Sequence, residues 1–98
     1  MNVIIRAPAY GDLDAIFENI ASDSTFAAEK VVERILAAIE LLGAFPRIGR
    51  PGRISGTRER VVSGLPYVVV YLIDQAAREV QVAAIFHTSR GDPPAGRL

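Results

Sequence analysis

The sequence contains no cysteine, no tryptophan and a single histidine among 98 residues. Without cysteine the chain forms no disulfide, has no thiolate nucleophile and offers no thiolate ligand to a metal. It also has no histidine cluster at metal-ligand spacing, no glycine-rich phosphate loop and no dinucleotide-binding fingerprint. We therefore expect no cofactor and no metal. Any catalysis would depend on arginine, tyrosine and the histidine, a set suited to stabilising phosphoryl charge.

Long hydrophobic runs are also absent. No apolar stretch approaches the roughly 20 residues that a membrane-spanning helix needs, and residues 1–6 lack the layout of a signal peptide. Half of the residues are hydrophobic and 22% are charged, which is typical of a folded chain with a modest core. We expect a single domain over residues 1–98, located in the cytoplasm, with a short irregular tail at 91–98.

The net charge of zero conceals a division along the chain. Residues 1–46 hold three basic residues against seven acidic ones, whereas residues 47–98 hold eight arginines against four acidic residues. Ten of the eleven basic residues are arginine, whose planar guanidinium suits two-pronged contacts to carboxylate or phosphate. A GC-rich genome could account for the preference for arginine, but it does not explain why the arginines cluster in the second half, where they could meet an anionic partner.

The first half predicts a strand followed by a helical hairpin. Residues 2–6 contain three consecutive β-branched residues and are predicted to form a strand. Two segments with apolar residues at helical spacing follow, at 8–22 and 26–42. Gly43 stands where a glycine would end the second helix. Asp12 falls near the start of the first helix, where the helix dipole explains it without chemistry.

A loop rich in glycine and proline follows at residues 44–56. It carries Arg47, Arg50 and Arg53 at three-residue intervals. These guanidiniums could bind phosphate or an acidic protein surface, or the segment could be an ordinary solvated connector.

Three runs that contain several β-branched residues then alternate with turn residues, at 57–62, 67–73 and 79–86. This pattern predicts consecutive antiparallel strands, so the fold class is α+β: an N-terminal strand, a helical hairpin and a three-stranded antiparallel sheet. Alternation puts Arg58 and Arg60 on one face of the first run, where they must be exposed, paired or part of a binding site.

Polar residues gather where the last strand ends. His87 follows the apolar run and Arg90 lies three residues further on. The imidazole is either structural or a general acid or base beside the guanidinium.

Five strings, in this order and spacing, resemble the RelE/ParE superfamily of toxins from type II toxin–antitoxin systems. They are DLxxI at 12–16, PRIGRPG at 46–52, GTRE at 56–59, PYVVVY at 66–71 and IFHTSR at 85–90. The likeness covers about residues 3–91. It implies a toxin that a cognate ParD-like or RelB-like antitoxin holds inactive in a hetero-oligomer.

The resemblance leaves two targets open. RelE-like members cleave messenger RNA at the ribosome, whereas ParE-like members poison DNA gyrase. Cleaving members carry an arginine within the central strand, in a Tyr-Arg-x-x-Tyr arrangement, and here Val68 stands in its place. Arg90 matches the arginine near the end of the last strand, and Arg58 and Arg60 are looser equivalents of the upstream basic residues.

We therefore expect a ParE-like toxin that inhibits gyrase and has no enzymatic activity of its own. The alternatives are a ribosome-dependent endoribonuclease, with His87 and Arg90 as catalytic residues, or a binding module without toxicity. We expect the antitoxin to fold an acidic, amphipathic segment onto the toxin, contacting Arg50, Arg58 and Arg60 and filling apolar grooves beside the helices or the sheet edge.

Overall fold

The computed structural model of the chain describes residues 1–97. It contains two α-helices and five strands: β1 Asn2–Ile5, α1 Ala7–Ala21, α2 Thr25–Ala44, β2 Arg50–Pro51, β3 Arg58–Val61, β4 Tyr67–Asp74 and β5 Glu79–His87. Two short 3-10 turns follow, at Thr88–Arg90 and Ala95–Arg97. The predicted α+β order of elements is confirmed. None of the helices within residues 1–97 has the length and apolarity to cross a membrane.

The sheet is larger than the predicted three-stranded sheet, because the predicted N-terminal strand and one further strand also belong to it. Its strand order is β1-β5-β4-β3-β2, and the two added strands lie at its edges. β1 pairs in parallel with β5, with Val3 opposite Val80, and β2 pairs with β3 through Arg50 and Glu59. The segment 44–56, predicted to be a loop, therefore contains one very short strand.

Both helices pack on the same face of the sheet. The buried core joins Leu13 of α1 and Ile35 of α2 to inward-facing residues of the strands, among them Val69, Tyr71 and Val82. The helical apolar stripes have a period near 3.6 and side chains alternate along β4, so these residues meet in one layer between the helices and the sheet. Burial of this one contiguous core is the main stabilising contribution.

A β-bulge divides β5 into two halves. Val70 pairs with Ala84, but the next residue, Tyr71, pairs with Val82, so one residue of β5 is unpaired at this point. The bulge allows Val82 and Ile85 to contribute to the same core, although they are three positions apart.

Asp12 supports β5 just beyond the bulge. Its carboxylate Oδ2 accepts a hydrogen bond from the backbone N–H of Ile85 at 2.8 Å. α1 begins at Ala7 and has no acidic residue in its first turn. The helix-dipole explanation of Asp12 was therefore wrong: β1 pairs only as far as Val82, and the side chain satisfies a backbone donor that lies past this point.

Gly43 does not end the second helix. α2 continues to Ala44, and the backbone nitrogen of Met1 donates to the carbonyl oxygen of Gly43 at 2.8 Å. A Cβ atom at position 43 would lie 2.9 Å from the carbonyl oxygen of Met1 and 3.1 Å from Cγ2 of Val3. The glycine is therefore required by the close approach of β1, and the prediction of a helix-ending glycine was wrong.

The described part of the tail has some local structure. It includes the turn Ala95–Arg97, and Pro93 is buried. Residue 98, the last of the predicted irregular tail, lies outside the described residues.

Two helical glycines provide a matched test of this packing. We expect Gly43→Ala to destabilise the protein by about 1–2 kcal/mol, because overpacking against β1 outweighs the gain in helix propensity. Gly11→Ala in α1, whose Cβ would meet nothing within 4 Å, should stabilise it by about 0.5–1 kcal/mol. Urea unfolding followed by circular dichroism measures both, and a stabilising Gly43→Ala would contradict the role given to β1.

Candidate functional site

The face of the sheet turned away from the helices carries a small apolar strip and a buried acid. Side chains alternate along β4, so Val69 and Tyr71 face the helices while their neighbours face the other way. The strip consists of Val68, Val70, Ala84 and Phe86. Glu59 lies opposite Val70 on β3 and is only 1% exposed.

Two arginines of the segment 44–56 neutralise Glu59. Its Oε1 lies 3.1 Å from Nη2 of Arg50 and 3.1 Å from Nη2 of Arg53. Its Oε2 accepts from the backbone N–H of Arg53 at 2.9 Å and from the Nε of Arg53 at 3.3 Å. A buried carboxylate with two hydrogen bonds to each oxygen is fully satisfied, so this cluster fixes the loop to the sheet.

The pKa of Glu59 reflects two opposed effects. Burial alone raises the pKa, but the hydrogen bonds from the side chain and backbone of Arg53 and from Arg50, with the charge of Arg53, lower it below its ordinary value of 4.5. The group is therefore a carboxylate at neutral pH.

Arg53 also reaches the C-terminal segment. Its Nη1 donates to the carbonyl oxygen of Gly91 and lies 3.6 Å from Oδ1 of Asp92, and its guanidinium stands 5.5 Å from the ring centroid of Phe86. The side chains of Arg50 and Arg53 remain 57% and 43% exposed. Both were predicted to contact a partner, yet much of their donor capacity is used within the protein.

On the helix face, the hydroxyl of Tyr71 organises the turn that follows α2. It donates to the carbonyl oxygen of Pro46 at 2.7 Å and accepts from the N–H of Gly49 at 2.9 Å. A Cβ at Gly49 would lie 2.6 Å from this oxygen, so only glycine fits there. Two carbonyl oxygens of this turn accept hydrogen bonds from Nη1 of Arg58, that of Gly49 at 2.6 Å and that of Arg47 at 3.4 Å.

Arg47 and Arg58 line one open cavity of about 280 Å³. Its other walls are formed by Pro51, Gly56, Thr57, Ile73 and Gln75. None of these described lining residues is acidic. We call it the Arg47–Arg58 cavity.

Arg60 lies apart from Arg58 although both face the helices. It lines a cleft of about 300 Å³ between α2 and β3, which we call the α2–β3 cleft, together with Arg34, Ala37, Ala38, Leu41, Val61, Val62 and Ser63. Arg34 donates to the carbonyl oxygen of Ser63 through Nη2, whereas Arg60 has no hydrogen-bond or ion-pair partner for its side chain within residues 1–97. Leu41 and Val61 are exposed.

His87 and Arg90 share a third cavity, of about 490 Å³, with Asp12 of α1 and Tyr67 of β4. The ring of His87 meets the Tyr67 ring edge to face, with 5.3 Å between the centroids. Its Nδ1 accepts from the backbone N–H of Ser89 at 3.0 Å and caps the turn Thr88–Arg90. Nδ1 is thus occupied, and Nε2 is the ring nitrogen left for other contacts.

The arginines predicted from the sequence therefore do not converge. Arg50 and Arg53 bind Glu59, Arg47 and Arg58 share a cavity, Arg60 lines the cleft, and Arg90 lies beside His87. Val68 is 2% exposed and belongs to the strip on the far face, whereas His87 opens to the helix side.

Sequence reasoning missed Glu59, Tyr71 and Arg34 as organising residues. Glu59 does leave a signal, since it is the only acid between Arg47 and Arg60, in a stretch with five arginines. A lone acid among many bases on a predicted strand is a signal for a buried ion pair. Tyr71 and Arg34 leave no such signal, because their partners are backbone atoms of distant segments.

Comparisons with known proteins agree with this fold. The sequence profile of a family described as the ParE toxin of the type II toxin–antitoxin system, parDE, matches residues 3–91. A candidate toxin of Sinorhizobium fredii, Y4kP, is 40% identical over 81 residues, which is 83% of this chain and 81% of that protein.

Two solved structures share the architecture. One is from a chromosomal ParDE toxin–antitoxin system of P. aeruginosa, with a TM-score of 0.78, 24% identity and coverage of 89% of this chain and 95% of that one. The other is from the RelBE2 toxin–antitoxin complex of Mycobacterium tuberculosis, with a TM-score of 0.66, 20% identity and coverage of 88% and 95%. At these identities the structures support the fold.

The buried ion pair predicts a dependence of stability on pH. The pKa of Glu59 is lowered in the folded state, so its stabilising contribution is present above the pKa of the unfolded chain and is lost as the pH falls through the folded pKa. We expect Glu59→Gln to cost about 2–3 kcal/mol at neutral pH. This difference from wild type should shrink as the pH falls below 4.5, the ordinary pKa of the group, and through its lowered pKa in the folded state.

Urea unfolding of both proteins at several pH values measures this effect. Glu33→Gln is the matched control, because Glu33 pairs with Lys30 on the exposed surface of α2 and should contribute less than about 0.5 kcal/mol. Equal destabilisation by the two substitutions would contradict the role of the buried cluster.

Proposed function

Since the chain belongs to the family of ParE toxins of type II toxin–antitoxin systems, we propose that it arrests growth by inhibiting DNA gyrase and that a cognate antitoxin neutralises it. Gyrase acts in the cytoplasm, so the toxin acts there as well. The observation that carries the choice of target is the environment of Val68.

Val68 occupies the position at which cleaving relatives carry an arginine. Here the side chain is buried in one cluster with Val70, Ala84 and Phe86, and the guanidinium that stands over Phe86 is that of Arg53, which is already paired with Glu59. No free guanidinium stands on this part of the described face to stabilise a developing phosphorane. Loss of one such charge-stabilising donor costs on the order of 3 kcal/mol of barrier, which disfavours RNA cleavage.

A ribosome-dependent endoribonuclease is the second candidate, supported by the cavity that His87 shares with Arg90. The Nε2 of His87 could exchange a proton with a ribose hydroxyl or a leaving group while Arg90 contacts phosphate. In the sheet, Arg58 of β3 lies opposite Tyr71 of β4, and Tyr71 lies opposite Val82 of β5. His87 lies at the end of β5, well beyond Val82. The upstream arginine and the histidine therefore do not form one site, which weakens this candidate.

The α2–β3 cleft suits the antitoxin. Its apolar walls include the exposed Leu41 and Val61, and Arg60 stands at its edge with no partner among residues 1–97. An amphipathic antitoxin segment would bury its apolar face against these walls, and an acidic side chain on that segment would pair with Arg60. Of the three arginines expected to contact the antitoxin, Arg60 has the most donors available, since Arg50 binds Glu59 and Arg58 binds backbone carbonyls.

Purified toxin should inhibit supercoiling of relaxed plasmid by gyrase and should leave messenger RNA intact in a reconstituted translation reaction. His87→Ala and Arg90→Ala should retain inhibition of growth on induced expression, because neither residue serves a cleavage reaction in this proposal. Toxin mixed with excess antitoxin is the negative control.

The opposite pattern would replace the first candidate with the second: normal supercoiling, cut messenger RNA and loss of toxicity in both variants. Induced expression without growth arrest, with normal supercoiling and intact RNA, would favour a binding module without toxicity.

For the antitoxin, we expect Arg60→Glu to weaken the complex by about 2 kcal/mol, or roughly thirtyfold in Kd, because it places a like charge opposite an acidic segment. Isothermal titration with the antitoxin encoded beside this chain measures the change. Arg78→Glu, in the exposed turn between β4 and β5, makes the same charge change away from the cleft and should leave Kd unchanged. Equal effects of the two variants would place the interface elsewhere.

A further inference from the structure

We propose that the Arg47–Arg58 cavity is a binding site for a phosphate dianion, supplied either as inorganic phosphate or as the terminal phosphate of a nucleotide. The site differs from the α2–β3 cleft, which Arg60 lines, and from the cavity of His87 and Arg90.

The position of Arg58 is fixed before any ligand arrives. Nη1 donates to the carbonyl oxygens of Gly49 and Arg47, and the turn that presents these carbonyls is hydrogen-bonded to the fully buried hydroxyl of Tyr71. A guanidinium held at one nitrogen keeps its remaining N–H donors in a fixed plane. Little conformational entropy is then lost when an oxyanion binds, which favours affinity.

The charge of the cavity is not compensated. Arg47 and Arg58 have no ion-pair partner among the described residues, in contrast to Arg50 and Arg53, and none of the described lining residues is acidic. Glu59, the nearest buried carboxylate along the strand, points to the opposite face of the sheet and is already neutralised. The cavity therefore presents two positive charges and no negative one.

Size and donor geometry favour phosphate over a larger or simpler anion. About 280 Å³ is below the usual range for sites that enclose a whole small-molecule ligand, roughly 300–1,000 Å³, but it accommodates a phosphate group with bound water. A single guanidinium is enough to bind one carboxylate in a bidentate pair. Two guanidiniums match both the double charge and the larger number of oxygen atoms of a phosphate dianion. The side-chain amide of Gln75, also at the wall, provides a further donor.

The test is a titration of isotope-labelled toxin with inorganic phosphate at constant ionic strength, followed through the arginine Nε–H resonances. We expect saturable shifts that include Arg58 and a roughly tenfold or greater loss of affinity in Arg58→Gln, since one charge-assisted pair is lost. Arg47→Gln should lose a similar amount. It is the variant that leaves the turn intact, because only the backbone carbonyl of Arg47 takes part in it. Arg58→Lys, which keeps the charge without the planar fork, should fall between wild type and Arg58→Gln.

Arg60→Gln is the matched control, because it removes the same charge two residues along the same strand face and does not line the cavity. It should bind phosphate as wild type does. A parallel titration with adenosine monophosphate separates the sources: tighter binding than inorganic phosphate indicates a nucleotide, and weaker binding indicates free phosphate.

Three results would overturn the proposal: shifts that do not saturate, equal losses in Arg58→Gln and Arg60→Gln, or succinate binding as tightly as phosphate. Inhibition of gyrase is not part of this readout, so the phosphate site and the proposed target can fail separately.

Discussion

The segment between α2 and β3 is held by two buried polar side chains that lie on opposite faces of the sheet. Glu59 binds Arg50 and Arg53 on the far face, and the hydroxyl of Tyr71 binds the turn at Pro46 and Gly49 on the helix face. A glycine- and proline-rich segment has little regular structure of its own to fix it. These two anchors therefore fix the positions of four arginines, Arg47, Arg50, Arg53 and Arg58. They also determine which of these positive charges remain available to a partner.

This constraint turns a uniform run of basic residues into functionally different positions. Arg50 and Arg53 stabilise the protein, and Arg53 also ties Gly91 and Asp92 to the loop. Arg58 is held by backbone carbonyls yet keeps donors free, and Arg60 has no internal partner within residues 1–97. A count of charges along the sequence treats all of these as equal. The number of hydrogen bonds that each one already makes is the better guide to which can bind something else.

Elements whose signals are local could be predicted from the sequence. The helical stripe of α1 and the β-branched run of β4 are patterns of neighbouring residues, and their boundaries were correct to within one or two positions. The parallel pairing of β1 with β5 was not predictable, because it joins residues about 77 positions apart through contacts that leave no local mark.

Gly43 shows how a correct local rule can fail. Glycine after a helical run usually marks the end of a helix, but here it makes room for β1, the strand at the start of the sequence. The candidate sites were least predictable for the same reason. The residue types at Arg58 and Arg60 were recognised, whereas their separation into two cavities depends on a turn whose anchor, Tyr71, lies 13 residues further along the chain than Arg58.

The bulge in β5 has a consequence for the division between the two faces. Without the bulge, side chains would alternate regularly between the two faces from Val80 to the end of β5. The odd-numbered residues would then all face away from the helices. The one unpaired residue reverses this alternation in the second half of β5. Ile85 therefore packs in the core beneath the helices, and His87 opens towards α1. Val68 of β4 faces the other side of the sheet. The sheet itself thus separates the imidazole of His87 from the side chain of Val68. Bringing positions 68 and 87 to one face would therefore require a change in the length of β5 as well as a change of side chain.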